Sequence, residues 1–554
     1  MVRYNSIDEI PPHIKNVLNR YFSNVGGDTF VITGLPHELT GGALARYSRA
    51  QTGMQLTTIN EFLDEHGEPS QQRGTELMNR VLNAFGDDSV GELEGAHVGL
   101  ENVSQLLTKL IEWPRIGGSP IEQSTRYVKY DQKDKDGKWR YLRPQEVIEA
   151  GRLTQFERVN DRAFELYSQA IAKLYEHFER EYPKDKHTIE VVKGTEKIKI
   201  GESELRSDEE RKAFETSYKF TVRCAALDVG RCILPASTLT HLGVFGNGRY
   251  FTGLLNAMKS DELLEARERA GKLEAELNKT IPTFVKRNRE NPQLAKINEK
   301  MRTFASTLFK DITPSDDSVT LVPRHSDLDE IVASALFPYT NISLSQILEK
   351  VSKLPESKKL EINNIYMGER NTRRDRTGRG IEAGYPITFD LVGGFAEYRD
   401  LQRHRMLTQQ RQLIGTGLGF IMPEEIRIIG LETPVLELVD MMNELNRDIR
   451  KEENLHASQY ATLFNHRMRF MMGMNLREFQ HLAELRTQPA GHHSYRAMTM
   501  EMTKKLIQRD PWTKEFLGFV DFSDPNNKIA RAKEQSKIAG KNLAKGVSSE
   551  GDLD

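Results

Sequence analysis

The sequence predicts an α+β protein in which long amphipathic helices outnumber a few short strands. Three observations carry this. Residues 144–182 place Phe156, Val159, Phe164, Leu166, Ile171, Leu174 and Phe178 at helical intervals, the pattern of one long helix with a buried stripe. Short β-type runs stand apart at 29–33, 188–201 and 385–392. A polar break between about 290 and 320, containing Asn291-Pro292 and Thr313-Pro314-Ser315-Asp316-Asp317-Ser318, divides the chain into two halves.

At 554 residues the chain is long enough for several sizeable cores. Hydrophobic residues at 38% and charged residues at 29% describe an ordinary soluble protein. A net charge of −2 gives no global attraction to nucleic acid or membrane, so any anion site must be local. Cys224 and Cys232 are the two cysteines, too few for a disulfide framework or a metal set. With no apolar run near 18 residues and no signal-like start, the expected location is the cytoplasm, with no membrane and no nucleic-acid partner.

In chain order, 7–24 has mixed helical spacing, and 41–49 opens a helix carrying Arg46 and Arg49. Residues 76–85 read as helix, and 93–111 alternates before turning helical. Residues 188–194 and 196–201 read as a surface hairpin, after which Ser207 with Glu210 caps a helix carrying Arg223 and Arg231. That helix must end near Leu234-Pro235. Residues 262–290 form a charged helical run, and 328–354 give two helices. The arginine-rich stretch 371–380 is either a solvated loop or a pyrophosphate clamp. Strand 385–392 leads into a helix over 395–410 carrying Arg399, Arg403 and His404. Arg399 and Arg403 would share a face there, repelling unless an anion, or an acidic neighbour such as Glu397 or Asp400, lies between them. A helix over 433–472 and another from Asn475 to Arg486 follow, interrupted before His492-His493; residues 526–554 read as a frayed helix or flexible tail.

The stretch Ser119 to Tyr127 concentrates functional groups. Arg126 offers a planar fork suited to phosphate or carboxylate, Ser124 and Thr125 add hydroxyls, and Glu122 is an acceptor for a ribose hydroxyl. Gly117-Gly118 would hold the segment as a loop against an anionic nucleotide; a polar helix start with an ordinary surface salt bridge is the plain alternative.

Glu122-x-Ser124-x-Arg126-Tyr127 resembles the nucleotide half of the signature of the flavin-dependent thymidylate synthases, the ThyX family. In that signature the Glu stands eight residues beyond the first Arg of an Arg-His-Arg. Here position 114 is proline, and the triplet occurs instead as Arg403-His404-Arg405, followed by Arg411 and Gly415 where the Glu and the second Arg belong. A second landmark splits the same way. Gly230-Arg231-Cys232-Ile233-Leu234-Pro235 is followed at the family spacing by Asn247-Gly248-Arg249, but Met258 replaces the later Arg. In the second half Asn475, Arg477 and Arg486 are kept, and Gln459 replaces the first Arg. Asp87 stands where the family often has a histidine.

The resemblance implies a tandem duplication: a ThyX-like domain over 1–300 keeping the nucleotide motif, a second over 320–525 keeping the Arg-His-Arg, and a tail over 526–554. Each would be a small mixed or antiparallel sheet flanked by long helices, the two packing as a pseudo-dimer, with a homodimer making a pseudo-tetramer. Implied substrate-binding residues are Glu122, Ser124, Thr125, Arg126, Arg231 and Arg486, with Ser124 and Arg486 at the chemistry. Implied flavin-binding residues are Arg403, His404, Arg405, Asn475 and Arg477, and no metal is implied. The implied reaction is reductive methylation of dUMP to dTMP, with FAD as cofactor and NADPH and methylenetetrahydrofolate as co-substrates. A related flavoenzyme on another pyrimidine nucleotide and a non-catalytic nucleotide-binding scaffold are the alternatives.

Overall fold

A computed structural model describes residues 4–546 except 48–49, 65, 67, 71–74, 77–89, 194–195, 287, 292, 370–376 and 452–453. Most of the helix expected at 76–85, Asp87, and most of the arginine-rich stretch therefore lie outside the described residues.

Among the described residues nine strands form three sheets: β1 (Gly95–Ser104), β2 (Gly118–Glu122), β3 (Ile189–Lys193), β4 (Glu196–Ile200), β5 (Leu239–Asn247), β6 (Val319–Leu321), β7 (Ile387–Gly394), β8 (Thr408–Arg411) and β9 (Arg467–Met474). Their orders are β1-β5-β2, β3-β4 and β6-β7-β9-β8. The first and third sheets repeat one plan. β1 and β7 each run directly into a seven-residue helix, Gln105–Ile111 and Phe395–Leu401. β5 and β9 each end at an asparagine, Asn247 and Asn475, whose side chain accepts a backbone N–H three residues on and so caps the next helix. The strand order β1-β5-β2 matches β7-β9-β8. This is the α+β architecture expected of the two halves.

The chain forms two compact units that do not divide at 300–320. The first comprises Met1–Val103, Leu107–Glu122 and Thr240–Leu294; the second comprises Ser104–Leu106, Gln123–Leu239 and Ala295–Asp554. The long helices of the first half belong to the second unit. Leu153–Glu181 packs there on Asp208–Gly230 and on Glu432–Lys451, burying Phe156, Val159, Phe164, Tyr167, Ile171 and Leu174. Gly230 permits close approach, since a Cβ there would come within 2.4 Å of Ile171 Cδ1.

Also in the second unit, equivalent segments of the two repeats pair with each other. Arg231 and its counterpart Gln459 both sit in 3-10 turns. Four residues beyond each, Pro235 and Leu463 form an antiparallel bridge, flanked by Ala236 N–H to Thr462 O and Phe464 N–H to Leu234 O, both 2.8 Å. A local two-fold relation thus joins the repeats within one chain.

Several expected elements differ. Residues 144–182 are two helices, Gln145–Glu149 and Leu153–Glu181, separated at Gly151, whose φ is +66°. The segment at 118–122 is a strand rather than a loop, because it pairs in register with β5. The helix from Phe395 stops at Leu401, so Arg403 and His404 lie beyond its end, and 408–411 turns into β8. The helix expected over 433–472 ends at Lys451; 467–474 is β9, the strand between β7 and β8. Of the two readings of 526–554, helix or flexible tail, the helix is the one found, over Ala532–Ala544, and it is docked on β3. No helix among the described residues is long and apolar enough to cross a membrane.

Candidate functional site

The second unit gathers a buried cationic network around two aspartates. Arg126, in the turn after the chain leaves β2, donates from Nε and Nη2 to both carboxylate oxygens of Asp228 at 2.6 and 2.7 Å. Its remaining contacts are the Ala490 carbonyl at 3.3 Å and the Tyr495 hydroxyl at 3.4 Å. Ser124 shapes this turn, its Oγ accepting the Arg126 N–H at 3.2 Å. Burial opposes the Arg126 charge, but Asp228 outweighs it and holds the guanidinium well above its ordinary value. Asp228 precedes Arg231 by one helical turn, which brings both to the same end of the Asp208–Gly230 helix.

Arg231 is fully buried and donates to Asp400 Oδ2 at 3.2 Å. Burial lowers its pKa, with Asp400 and Asp228 pulling the other way. Burial would raise the Asp400 carboxyl, yet Arg231, Arg126, Arg403 and Arg486 together hold it well below the usual carboxylate range. Asp400 is therefore the charge on which arginines from both halves converge. Its neighbour Arg399 donates from Nη1 to Thr125 Oγ1 at 3.2 Å and lies 4.9 Å from the Phe464 ring centroid.

Two histidines flank this network, each with its tautomer set by its partners. Arg486 Nε donates to His404 Nε2 at 2.9 Å, so that nitrogen bears a lone pair and Nδ1–H donates to Glu478 Oε1, also at 2.9 Å. Burial, reinforced by Arg486, lowers the His404 pKa against Glu478 and keeps the ring neutral. His492 Nε2 faces the Asp228 carbonyl at 3.0 Å and must carry the proton; its Nδ1 accepts from Ser494 Oγ at 2.7 Å. Ser494 also bonds Glu397, whose carboxyl burial pushes up to about 7 against Arg231; with the Ser494 proton on His492, the protonated Glu397 is the donor in that bond. Glu397, Ser494, His492 and the Asp228 carbonyl thus form a continuous polar chain.

The expected site residues divide into three groups. Thr125, Arg126, Arg231, Arg403, His404 and Arg486 join one network, with Ser124 positioning it. Glu122 lies apart from this network: its carboxylate is completely buried in the first unit, accepting from Lys109 Nζ and Thr108 Oγ1, both at 3.2 Å. The same buried ammonium also bonds Glu112 at 2.6 Å. Asn475 uses its side chain as a helix cap, Arg405 and Arg477 are exposed, and Arg403, though exposed, reaches the network through its charge on Asp400.

The sequence reading did not identify Asp228, Tyr495, Glu478, Ser494 or Arg531 as parts of this network. Only Asp228 had a local signal, its one-turn spacing from Arg231. Asp400, an expected acidic neighbour of Arg399 and Arg403, pairs with Arg231 at 3.2 Å, with Arg403 adding its charge. Both cysteines are buried, and burial pushes the Cys224 thiol up to about 12 and Cys232 upward as well, so neither is a ready thiolate.

A family described as thymidylate synthase complementing protein matches this chain over residues 42–283 and 384–512. A UPF0159 protein of Chlamydia muridarum is 34% identical over 541 residues, covering 94% of this chain and 97% of its own length. Another from Chlamydia pneumoniae is 34% identical over 531 residues, with 92% and 95% covered. A UPF0159 protein of Thermoplasma acidophilum is 29% identical over 489 residues, with 87% and 95% covered. Both matched segments contain one copy of the strand–helix plan and contribute arginines to the Asp228–Asp400 network, and the chain belongs to the thymidylate synthase complementing protein family.

Proposed function

We propose that this chain is a flavin-dependent thymidylate synthase, converting dUMP to dTMP by reductive methylation with methylenetetrahydrofolate and NADPH. Family membership supports thymidylate-synthase-like function. The observation that carries the finer reading is the excess of cation at Asp228 and Asp400, where arginines kept separately by the two halves meet in one unit. A nucleotide phosphate or an electron-rich pyrimidine is the kind of ligand such an excess stabilises.

The residues present fit a flavin in part. Exposed Arg403, Arg405 and Arg477 suit a diphosphate, whereas both ring nitrogens of His404 are already engaged. Arg403, Arg405 and Arg477 would hold the group, which when bound and reduced would supply hydride to the pyrimidine ring. Arg126 and Arg231 orient the nucleotide; Arg486, 5.6 Å from the Tyr495 ring centroid, stabilises negative charge on the pyrimidine. Glu397, its carboxyl raised to about 7, is placed to give or accept a proton through Ser494. Nucleotide and folate are the proposed small-molecule partners, with a homodimer as the proposed assembly.

Bidentate pairing of Arg126 with Asp228 favours a second reading, a nucleotide-binding protein without turnover. Tritium release from dUMP labelled at C5 separates the two. Purified protein carrying a flavin spectrum and releasing tritium is the expected result; a colourless protein that takes up no FAD and releases none overturns the enzyme.

A further inference from the structure

The helix Ala532–Ala544 lies beyond residue 512, where the family match ends. It packs on β3 and on the Asp208–Gly230 helix, with Ala539 in a small core of Ile189, Val191, Ile200 and Phe214. Gly540 lies directly against the backbone, since a Cβ there would fall 1.4 Å from the Glu190 carbonyl oxygen. Any side chain at 540 would force the helix away, so its docking is built into the sequence.

That docking delivers Arg531, the residue preceding the helix, to the cationic network. Its Nη1 donates to the Tyr127 hydroxyl at 3.0 Å and its Nη2 to the Ala490 carbonyl at 2.5 Å. Arg126 Nη2 donates to the same carbonyl at 3.3 Å, so two guanidinium groups converge on one neutral oxygen. Both of these hydrogen bonds go to neutral groups, and Arg531 as a residue is 7% exposed. Asp228, the carboxylate whose charge reaches Arg531, is already bidentate with Arg126, and Arg231 is hydrogen-bonded to Asp400. Arg531 is thus a buried cation beside another, with no carboxylate hydrogen-bonded to it among the described residues.

We propose that Arg531 and Arg126 form the two arms of a clamp for the phosphate monoester of the nucleotide. The C-terminal helix is then part of the binding site. This rests on the nucleotide reading above and adds to it the group that takes the phosphate. Planar guanidinium forks approaching from two segments suit a dianionic phosphate, which presents several acceptor oxygens at once.

The test compares dUMP, measured by calorimetry, with deoxyuridine, measured by ligand-detected NMR, on the full chain. Arg531→Gln should raise the Kd for dUMP at least tenfold and leave deoxyuridine unchanged. Should the glutamine variant fail to fold, Arg531→Lys keeps the charge and loses the fork, and should weaken dUMP about threefold with deoxyuridine again unaffected. Equal loss for both ligands, or none for either, assigns Arg531 to anchoring the helix and overturns the clamp. Absence of dUMP binding by the unsubstituted protein overturns the nucleotide reading instead.

Discussion

Asp228 and Asp400 illustrate how single carboxylates organise this molecule. Each is taken out of water and each remains ionised because arginines surround it. Removing one partner leaves the other charge buried. Arg126→Ala should therefore lower the unfolding free energy by about 3 kcal/mol. In a double-mutant cycle with Asp228→Asn the two losses should be non-additive by about 1 kcal/mol or more, measured by denaturant unfolding. Additive losses would show that the pair is not a unit.

Glu397 predicts the opposite pH behaviour. Its carboxyl is raised from 4.5 to about 7, so the folded state binds a proton that the unfolded state releases at lower pH. Its contribution is fully present below about pH 4.5 and is lost as pH rises through about 7. Glu397→Gln should flatten the stability–pH curve over that window. Part of the slope should survive, because Asp390, buried against Arg469, is raised to about 6. An unchanged slope in the variant would rule out Glu397 as the titrating group.

At the scale of elements, what was legible depended on whether a segment's pattern is local. The Leu153–Glu181 helix carries its whole buried stripe in its own spacing, and Ser207 with Glu210 announces the next helix as a capping box. Phe164→Ala should cost about 3–5 kcal/mol, and Ser207→Ala about 1 kcal/mol, in thermal or denaturant unfolding. β9 was read as helix because it runs between β7 and β8 with nearly every side chain buried, which removes the alternation that marks a half-exposed strand. The end of the Phe395–Leu401 helix was missed for a related reason: residues 408–411 leave helical geometry to pair with β9, a partner some sixty residues away.

For the whole molecule, the compact units cut across the repeats. The second unit draws on 123–239 as well as 295–554. A fragment of 295–554 alone should lack a cooperative melt and show little amide protection, and co-expression with 1–294 should restore both. A stable, cooperatively folding 295–554 fragment would contradict this division.

Motif spacing alone was enough to expose two diverged copies of one plan, the complementary losses between them, and the arginines worth pursuing, because linear patterns survive without contacts. Which carboxylates those arginines would meet was not written in any window of the chain. Arg126 and Asp228 are a hundred residues apart, Arg231 and Asp400 farther still, and Glu122, two residues from Ser124, turns to a buried lysine instead. Charge partnership inside a protein is decided by burial, and burial exists only once distant segments pack.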